Sequence, residues 1–157
     1  MPKKFKSMDK LLRPDPRYKN RVVGKFINCL MYDGGKVKAQ AIFYDALKAV
    51  EKKVPGVDTL EIFTKAVDNV KPLVEVRSRR VGGATYQVPV EVASKRAQSL
   101  AFRWILQATR KKKGRPMYLR LCDELAAAYK KEGDAMTMRE NVHKMAEANK
   151  AFAHFAW

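Results

Sequence analysis

Positively charged side chains are the most distinctive chemical groups in the sequence, and they occur in clusters. Nine lysines and arginines fall within residues 1–25. Six more fall within residues 110–120, a segment that contains no Asp or Glu. A third cluster comprises Arg77, Arg79, Arg80, Lys95 and Arg96. Such groups bind phosphate oxygens, and arginine does so through a planar fork of donors. Clustering of this kind is typical of a surface that binds a polyanion.

The charge of the whole chain supports the same interpretation. Its 157 residues contain 33 Lys and Arg against 16 Asp and Glu, which gives a net charge of +17. Self-repulsion at this level weakens a compact fold, so a polyanionic partner is expected. Nucleic acid is the leading candidate and an acidic membrane surface the second, while solvated faces that only maintain solubility are the alternative for any one cluster. No apolar run approaches the ~20 residues of a membrane span, so a transmembrane function is excluded. With nucleic acid favoured, we expect no membrane partner.

Two short motifs suggest other chemistry, but neither is complete. Gly34-Gly35-Lys36 resembles part of a phosphate loop, yet Leu30 stands where a glycine is needed and Val37 where Ser or Thr is needed. Glu140 and His143 have the Glu-x-x-His spacing of di-iron bundles, which require two such motifs. Because no motif supplies a nucleophile or a general base, we expect no enzymatic activity, no cofactor and no metal.

The two cysteines indicate neither a disulfide framework nor a zinc site. Cys29 and Cys122 are far apart in the sequence and no Cys-x-x-Cys motif is present. We expect both thiols to be reduced and buried, as is usual in a cytosolic protein.

Helical periodicity predicts six helices that would position these groups. Residues 1–19 come first and contain Pro2, Pro14 and Pro16, so a flexible basic arm that orders on a partner is expected there. The clearest apolar stripe belongs to the fourth helix and includes Trp104, which we therefore assign to the core. That stripe consists of Ala97, Leu100, Ala101, Trp104, Ile105 and Ala108. The sixth helix is predicted from Met138, Val142, Met145, Ala146 and Asn149, with its apolar members expected on the inner face.

Between the third and fourth helices the apolar period changes from 3.6 to 2, which predicts a β-hairpin. Two runs rich in β-branched residues flank Gly82-Gly83, a pair that suits a tight hairpin turn. Side chains alternate along a strand, so Arg77 and Arg79 should lie on one face and Val74 and Val76 on the other. One face would then be basic and the other apolar near the root.

The predicted architecture is mainly α, a six-helix bundle with a protruding two-stranded β-hairpin between the third and fourth helices. We expect a single domain over residues 1–157. It divides into the arm (1–19), helices one to three (20–71), the hairpin (72–92) and helices four to six (93–157).

Structured RNA is favoured over DNA as the polyanion. A β-ribbon enters the major groove of B-form DNA, but the same groove of A-form RNA is too deep and narrow for readout, so RNA would be recognised by shape and phosphate position. No helix-turn-helix and no heptads are present, so we expect no homo-oligomer that reads a palindrome. A nucleoid protein or an RNA chaperone remains the alternative. An RNA-modifying enzyme would need a cofactor loop in a βαβ unit, and none is visible.

Several long segments resemble the bacterial small-subunit ribosomal protein seven family. The hairpin segment of residues 71–92 and the C-terminal segment of residues 143–157 carry the resemblance most specifically. Pro14-Asp15-Pro16 in the arm and Phe26-Ile27-Asn28 in the first helix also fit, so the resemblance covers nearly the whole chain.

The resemblance implies both a fold and a function. It implies a helical bundle with a protruding β-ribbon, and primary binding to the 3′ major domain of 16S ribosomal RNA, where the protein nucleates assembly of the subunit head. It also implies a cytoplasmic location in the small ribosomal subunit, near the exit-site tRNA, with small-subunit ribosomal proteins nine and eleven as neighbours.

The clusters and the resemblance together define the expected site residues. The expected RNA-binding residues are Lys3, Lys4, Lys6, Lys10, Arg13, Lys36, Lys38, Arg77, Arg79, Arg80, Arg96, Lys111, Lys112, Lys113 and Arg115. The part of the hairpin expected to lie near tRNA comprises Arg79, Arg80, Gly82, Gly83 and Tyr86.

Overall fold

Residues 12–155 are described by the computed structural model. The predicted RNA contacts at Lys3, Lys4, Lys6 and Lys10 lie outside the described residues. Within them, the predicted fold class is confirmed: the protein is mainly α, with an antiparallel hairpin between the third and fourth helices.

The elements follow one another with short connections. They are α1 (Arg21–Leu30), α2 (Lys36–Lys53), α3 (Thr59–Val70), β1 (Val74–Val81), β2 (Ala84–Glu91), α4 (Ser94–Lys111), α5 (Met117–Tyr129) and α6 (Asp134–Ala148). A short 3-10 helix, Lys150–Phe155, follows α6 and was not predicted. The turn between the strands is made by Gly82 and Gly83, whose φ angles of 57° and 88° suit glycine in a two-residue hairpin turn.

Four phenylalanines at the centre of the core join the first four helices. Phe26 of α1 lies 5.2 Å, centroid to centroid, from both Phe63 of α3 and Phe102 of α4, and 5.5 Å from Phe43 of α2. The two 5.2 Å pairs meet edge to face, a favoured aromatic geometry. All four side chains are fully buried, so this cluster fixes α1 against α4.

α4 is buried on more than one side. The predicted stripe is buried, Trp104 included, but Phe102 and Leu106 lie outside that stripe and are buried as well. The reason is that α1, α3, α5 and α6 all pack against this helix. A single amphipathic stripe describes a helix with one covered face, so it underestimates the buried surface of a central helix.

Part of the predicted flexible arm is fixed to the helices, which corrects the expectation for residues 12–19. Asp15 is buried, and its carboxylate accepts hydrogen bonds from the backbone N–H groups of Arg17 and Tyr18 and from the Tyr44 hydroxyl, at 3.0, 3.0 and 2.7 Å. Burial and this hydrogen bond raise the pKa of Tyr44 to about 12. A Cβ on Gly24 would lie 2.8 Å from the Arg13 carbonyl oxygen, so glycine is required where the arm crosses α1.

The predicted inner face of α6 is partly wrong. Met145 was expected to be buried, but it is 51% exposed, whereas Ala135 and Met136 at the start of the helix are buried. α6 packs on α4 and also on the hairpin, so its covered surface does not follow one straight stripe.

Candidate nucleic-acid interface

A groove between α1 and α4 carries positive charge and no acidic lining residue. Its larger part has a volume of about 720 Å³ and is lined by Cys29, Ser99, Arg103, Leu106, Gln107, Arg110 and Lys111. A second cavity, of about 270 Å³, also lies between α1 and α4 and is lined by Leu12, Arg21, Val22, Lys25, Lys95 and Gln98. We call the two together the α1–α4 groove. Six of its lining residues are lysine or arginine, so its potential attracts phosphate.

Arg110 is held in this groove by the end of α1. Its Nη2 donates to the backbone carbonyl oxygens of Cys29 and Leu30, at 3.4 and 3.3 Å, and its guanidinium lies 4.2 Å from the centroid of the Tyr32 ring. The last carbonyls of a helix have no partner within that helix, so a cation is well placed there. The arginine therefore ties α4 to α1.

Cys29 lies on the edge of the groove and is exposed, which corrects the expectation that both cysteines are buried; Cys122 is buried as expected. Local burial raises the pKa of the Cys29 thiol, although Lys25, Arg110 and Arg103 act in the opposite direction. The thiol is therefore neutral at physiological pH, and the groove keeps its positive charge.

At the root of the hairpin, two of the predicted RNA-binding arginines share one buried carboxylate. Arg77 and Arg96 both bond to Glu75, with nitrogen–oxygen distances of 2.6 and 2.8 Å. Burial alone would raise the pKa of this carboxyl, but hydrogen bonds and attraction from Arg96 and Arg77 outweigh burial and lower it. Glu75 thus stays ionised and joins the hairpin to the first turn of α4.

The two faces of the hairpin are not divided as predicted. Arg77 pairs with Val88 and Arg79 with Tyr86 in the antiparallel register, and directly opposed residues lie on the same face. The arginine face therefore also carries the fully buried Val88, and the expectation of one basic and one apolar face is wrong. Arg80 lies on the other face and is exposed.

The distal half of the hairpin packs against the C-terminal 3-10 helix. The Tyr86 ring lies 5.2 Å, centroid to centroid, from both Phe152 and Phe155. Gly82 and Gly83 at the tip are open: a Cβ on either would meet nothing within 4 Å. Tyr86 therefore anchors the ribbon to the 3-10 helix, and the Gly82-Gly83 tip remains accessible.

The basic loop, residues 111–115, joins the end of α4 to α5. Lys112 bonds to the fully buried Glu124 at 2.8 Å, and Arg115 bonds to Asp123 at 2.9 Å. The Glu124 hydrogen bond raises the pKa of Lys112. Lys111 and Lys113 are exposed. All four cations of the loop are thus exposed, but only Lys112 and Arg115 are paired with a carboxylate.

Comparison with known proteins decides which family carries this arrangement. Residues 2–150 match the family described as ribosomal protein S7p/S5e. Small ribosomal subunit protein uS7 of Rhodopirellula baltica is 61% identical over 144 residues, covering 91% of this chain and 92% of the relative. The uS7 proteins of Pelagibacter ubique and Borrelia duttonii are 51% and 48% identical, over the full length of both chains. The chain belongs to the ribosomal protein S7p/S5e family.

Membership of the S7p/S5e family confirms several predictions. The chain is a structural component of the small ribosomal subunit, an RNA-binding protein of translation and not an enzyme. It is located in the cytoplasmic ribosome.

Within residues 12–155, no helix combines the length and apolar content needed to cross a bilayer. In the same range, no group of three or more His, Cys, Asp or Glu side chains is arranged to hold a metal ion.

Sequence reasoning missed two arginines of the α1–α4 groove, Arg103 and Arg110, as a pair on one surface. Arg103 belonged to none of the three clusters, and Arg110 was grouped with the basic loop. A signal was nevertheless present, because Arg96, Arg103 and Arg110 are seven residues apart. Seven residues are nearly two helical turns, so the three arginines lie along one side of α4.

Three of the other predicted RNA-binding residues, Arg13, Lys36 and Lys38, lie outside the α1–α4 groove. Arg13 is exposed near the start of the described chain, where the arm crosses α1. Lys36 and Lys38 are exposed in the first turn of α2, which follows the Gly34-Gly35 turn. They lie on a different element from the residues that line the α1–α4 groove.

Proposed function

We propose that this protein binds the 3′ major domain of 16S ribosomal RNA directly and nucleates assembly of the subunit head. The observation that carries the proposal is that α4 contributes cationic side chains to three regions: the hairpin root, the α1–α4 groove and the basic loop. Arg96 meets the hairpin at its first turn, Arg103 and Arg110 line the α1–α4 groove, and Lys111 opens the basic loop. α4 has 18 residues, which corresponds to about 27 Å.

A helix-borne cationic strip of this length suits RNA that is recognised by its shape. Phosphates along a folded RNA strand would be neutralised by the groove, while the hairpin and the basic loop contact neighbouring RNA elements. Such contacts fix orientation and do not read a base sequence. The particular RNA, the 3′ major domain, is supported by the resemblance of the hairpin and the C-terminal segment.

A salt titration of RNA binding tests this proposal. With six groove cations neutralising phosphates, the logarithm of the affinity for a 3′ major domain fragment should fall against the logarithm of salt with a slope of about −4 to −5. Duplex DNA of equal length serves as competitor. A flat salt response would contradict the proposal, and equal competition by DNA would favour the nucleoid alternative.

The role in assembly has a separate test. In reconstitution of the subunit from RNA and purified proteins, a variant with Arg103→Gln and Lys111→Gln should leave the head incomplete. The matched variant, Lys48→Gln with Lys52→Gln, removes the same charge from the α2–α5 surface and should support assembly. Equal assembly with both variants would contradict the proposal.

We also propose that the hairpin tip lies beside the exit-site tRNA. The open Gly82-Gly83 turn and the exposed Arg80 are suited to approach a phosphate backbone closely. Tyr86 is engaged with Phe152 and Phe155, so it supports the tip and does not stack on a base. In assembled subunits, Arg80→Ala should weaken protection of exit-site tRNA from chemical cleavage. Unchanged protection would count against this placement.

A protein neighbour is supported by an apolar groove beside the hairpin root. It has a volume of about 320 Å³ and is lined by Val74, Pro89, Val90, Glu91, His143, Ala146, Glu147, Lys150 and Ala153. Small-subunit ribosomal proteins nine and eleven are the neighbours that the resemblance implies. A photocrosslinker at Ala153 should capture one of them in assembled subunits. Capture of neither would exclude this groove as their contact.

A further inference from the structure

The basic loop is held from α5 by a carboxylate that has no access to solvent. Glu124 is fully buried. Its Oε2 accepts a hydrogen bond from Lys112 Nζ at 2.8 Å, and its Oε1 accepts one from the backbone N–H of Ala135 at 2.9 Å. Ala135 lies in the first turn of α6, whose N–H groups lack helical partners. A buried carboxylate is stable only when paired in this way.

Gly133 lies close to the Glu124 carboxylate. Gly133 has a φ of +97°, and a Cβ there would lie 3.0 Å from Glu124 Oε1 and 3.1 Å from Ala127 Cβ. A side chain at position 133 would therefore displace the carboxylate, which is held in place by its two hydrogen bonds.

Two further side chains of α5 hold the same loop. Arg120 donates through Nη1 to the Lys112 carbonyl oxygen and to the Thr109 carbonyl oxygen. Asp123 accepts from Arg115 at 2.9 Å. Both ends of the loop are thus attached to one helix.

These attachments leave two exposed lysines that, among residues 12–155, have no carboxylate partner, whereas the partly exposed Lys112 has one. Lys111 is exposed where the α1–α4 groove ends. Lys113 is exposed, and within residues 12–155 its side chain forms no hydrogen bond or ion pair. Lys112 lies between them in sequence, but its charge is balanced by Glu124.

We infer that the three lysines of the basic loop have different roles because Glu124 pairs with one of them. Lys112 is a positioning residue, and Lys111 and Lys113 are the residues that contact phosphate. This inference rests on the proposed RNA-binding function. A loop fixed in advance loses less conformational freedom on binding, so the pair of Lys112 and Glu124 would increase the contribution of Lys113 to affinity.

Neighbouring lysines give a matched test. Lys113→Ala should make the salt slope of RNA binding shallower by about one unit, with an unchanged melting temperature. Lys112→Ala removes the same side chain and the same charge, but it should lower the melting temperature and leave the slope unchanged. Adding Glu124→Gln to Lys112→Ala should recover part of the melting temperature, because the buried unpaired charge is removed.

Positioning is measured by combining the variants. Lys113→Ala should weaken RNA binding by a smaller factor in the Lys112→Ala/Glu124→Gln background than in the unaltered chain. An equal factor would show that the pair stabilises the fold without positioning Lys113. A slope reduced by one unit for Lys112→Ala would show that Lys112 itself contacts phosphate. A flat salt response of the unaltered chain would refute the RNA-binding function instead.

Discussion

Three buried carboxylates organise the groups that surround the candidate interface. Asp15 holds the arm, Glu75 holds Arg77 and Arg96, and Glu124 holds Lys112. Ionised groups are stable in the interior only with hydrogen-bonding partners, so each carboxylate constrains the groups around it. A basic protein thereby uses a few acids to fix the directions of its cations.

The stability of the hairpin root depends on Arg77 more than its exposure indicates. The sequence predicted Arg77 only as an RNA-binding residue and indicated no role for it in stability. The Arg77 side chain is 50% exposed, but it neutralises a carboxylate that is 9% exposed. We expect Arg77→Ala to cost about 1 kcal/mol of unfolding free energy, measured by urea denaturation. Arg80→Ala, which removes an exposed arginine of the same strand, is the control and should leave the unfolding free energy unchanged.

Gly133 should tolerate substitution less well than another glycine with positive φ. Gly133→Ala combines left-handed backbone strain with a contact of 3.0 Å to Glu124 Oε1, so we expect a loss of roughly 2–3 kcal/mol. Gly34 has a φ of +75° and open space around its Cβ position, so Gly34→Ala should cost only about 1 kcal/mol. Thermal melts of the two variants measure the difference, and equal costs would show that the contact with Glu124 is irrelevant.

Buried acids could not be predicted from the sequence. Glu75 and Glu124 are residue types that usually face solvent, and nothing in the spacing around them distinguishes them from surface acids. Their burial depends on Arg96 and Lys112, which lie 21 and 12 residues away in the chain. The clusters of cations were visible in the sequence, but which members are paired with a carboxylate was not.

At the scale of elements, the hairpin is attached to the helical body at both its root and its distal half. The Leu73 backbone N–H donates to His143 Nε2 of α6 at 3.1 Å, and Tyr86 packs on the 3-10 helix. An isolated two-stranded ribbon is only marginally stable. These contacts therefore supply the support that a projecting ribbon needs.

The contact between His143 and Leu73 should make the hairpin root sensitive to pH. Burial, assisted by Arg139, lowers the pKa of His143, and a protonated ring has no lone pair at Nε2 to accept the bond. Because the folded pKa is depressed, stability is present above the ordinary value of 6.5 and is lost as pH falls through the lowered pKa. Glu91, Glu147 and Lys150 also line the site.

The measurement for this prediction is the urea midpoint between pH 7 and pH 5. His143→Gln keeps a carbonyl oxygen that can accept from Leu73 and does not titrate in this range, so it should flatten the profile. An unchanged profile in His143→Gln would assign the pH dependence to another group.

The 3-10 helix should restrain the outer half of the hairpin. Phe152→Ala removes one of the two rings that pack on Tyr86, so amide hydrogen exchange in residues 81–86 should become faster. Exchange in α4 should stay unchanged, because Phe152 is not part of the main core. Uniformly faster exchange would show that the residue stabilises the whole fold.

Periodicity predicted the regular elements well because each helix or strand with one covered face shows that face in its sequence. It failed for the short 3-10 helix, whose six residues are too few to show a period. It also missed Phe102 and Leu106, since α4 is covered from several sides. The grouping of Lys25 with Arg103 and Arg110 depends on how α1 packs against α4, which no local pattern reveals.

At the scale of the whole molecule, the position of positive charge should matter more than its amount. Arg103→Gln with Lys111→Gln and Lys48→Gln with Lys52→Gln lower the net charge equally. The first pair should reduce the salt slope of RNA binding by about two units, and the second should leave it nearly unchanged. Equal reductions would indicate that binding depends only on the total charge.

The difference between the two cysteines offers a direct way to observe this surface. Cys29 is exposed at the groove and Cys122 is buried, and the sequence has no other cysteine. A maleimide fluorophore added to the native protein will therefore attach at a single known place, slowly at neutral pH because the thiol is protonated. Its emission would report docking of a nucleic acid in real time without any engineered substitution.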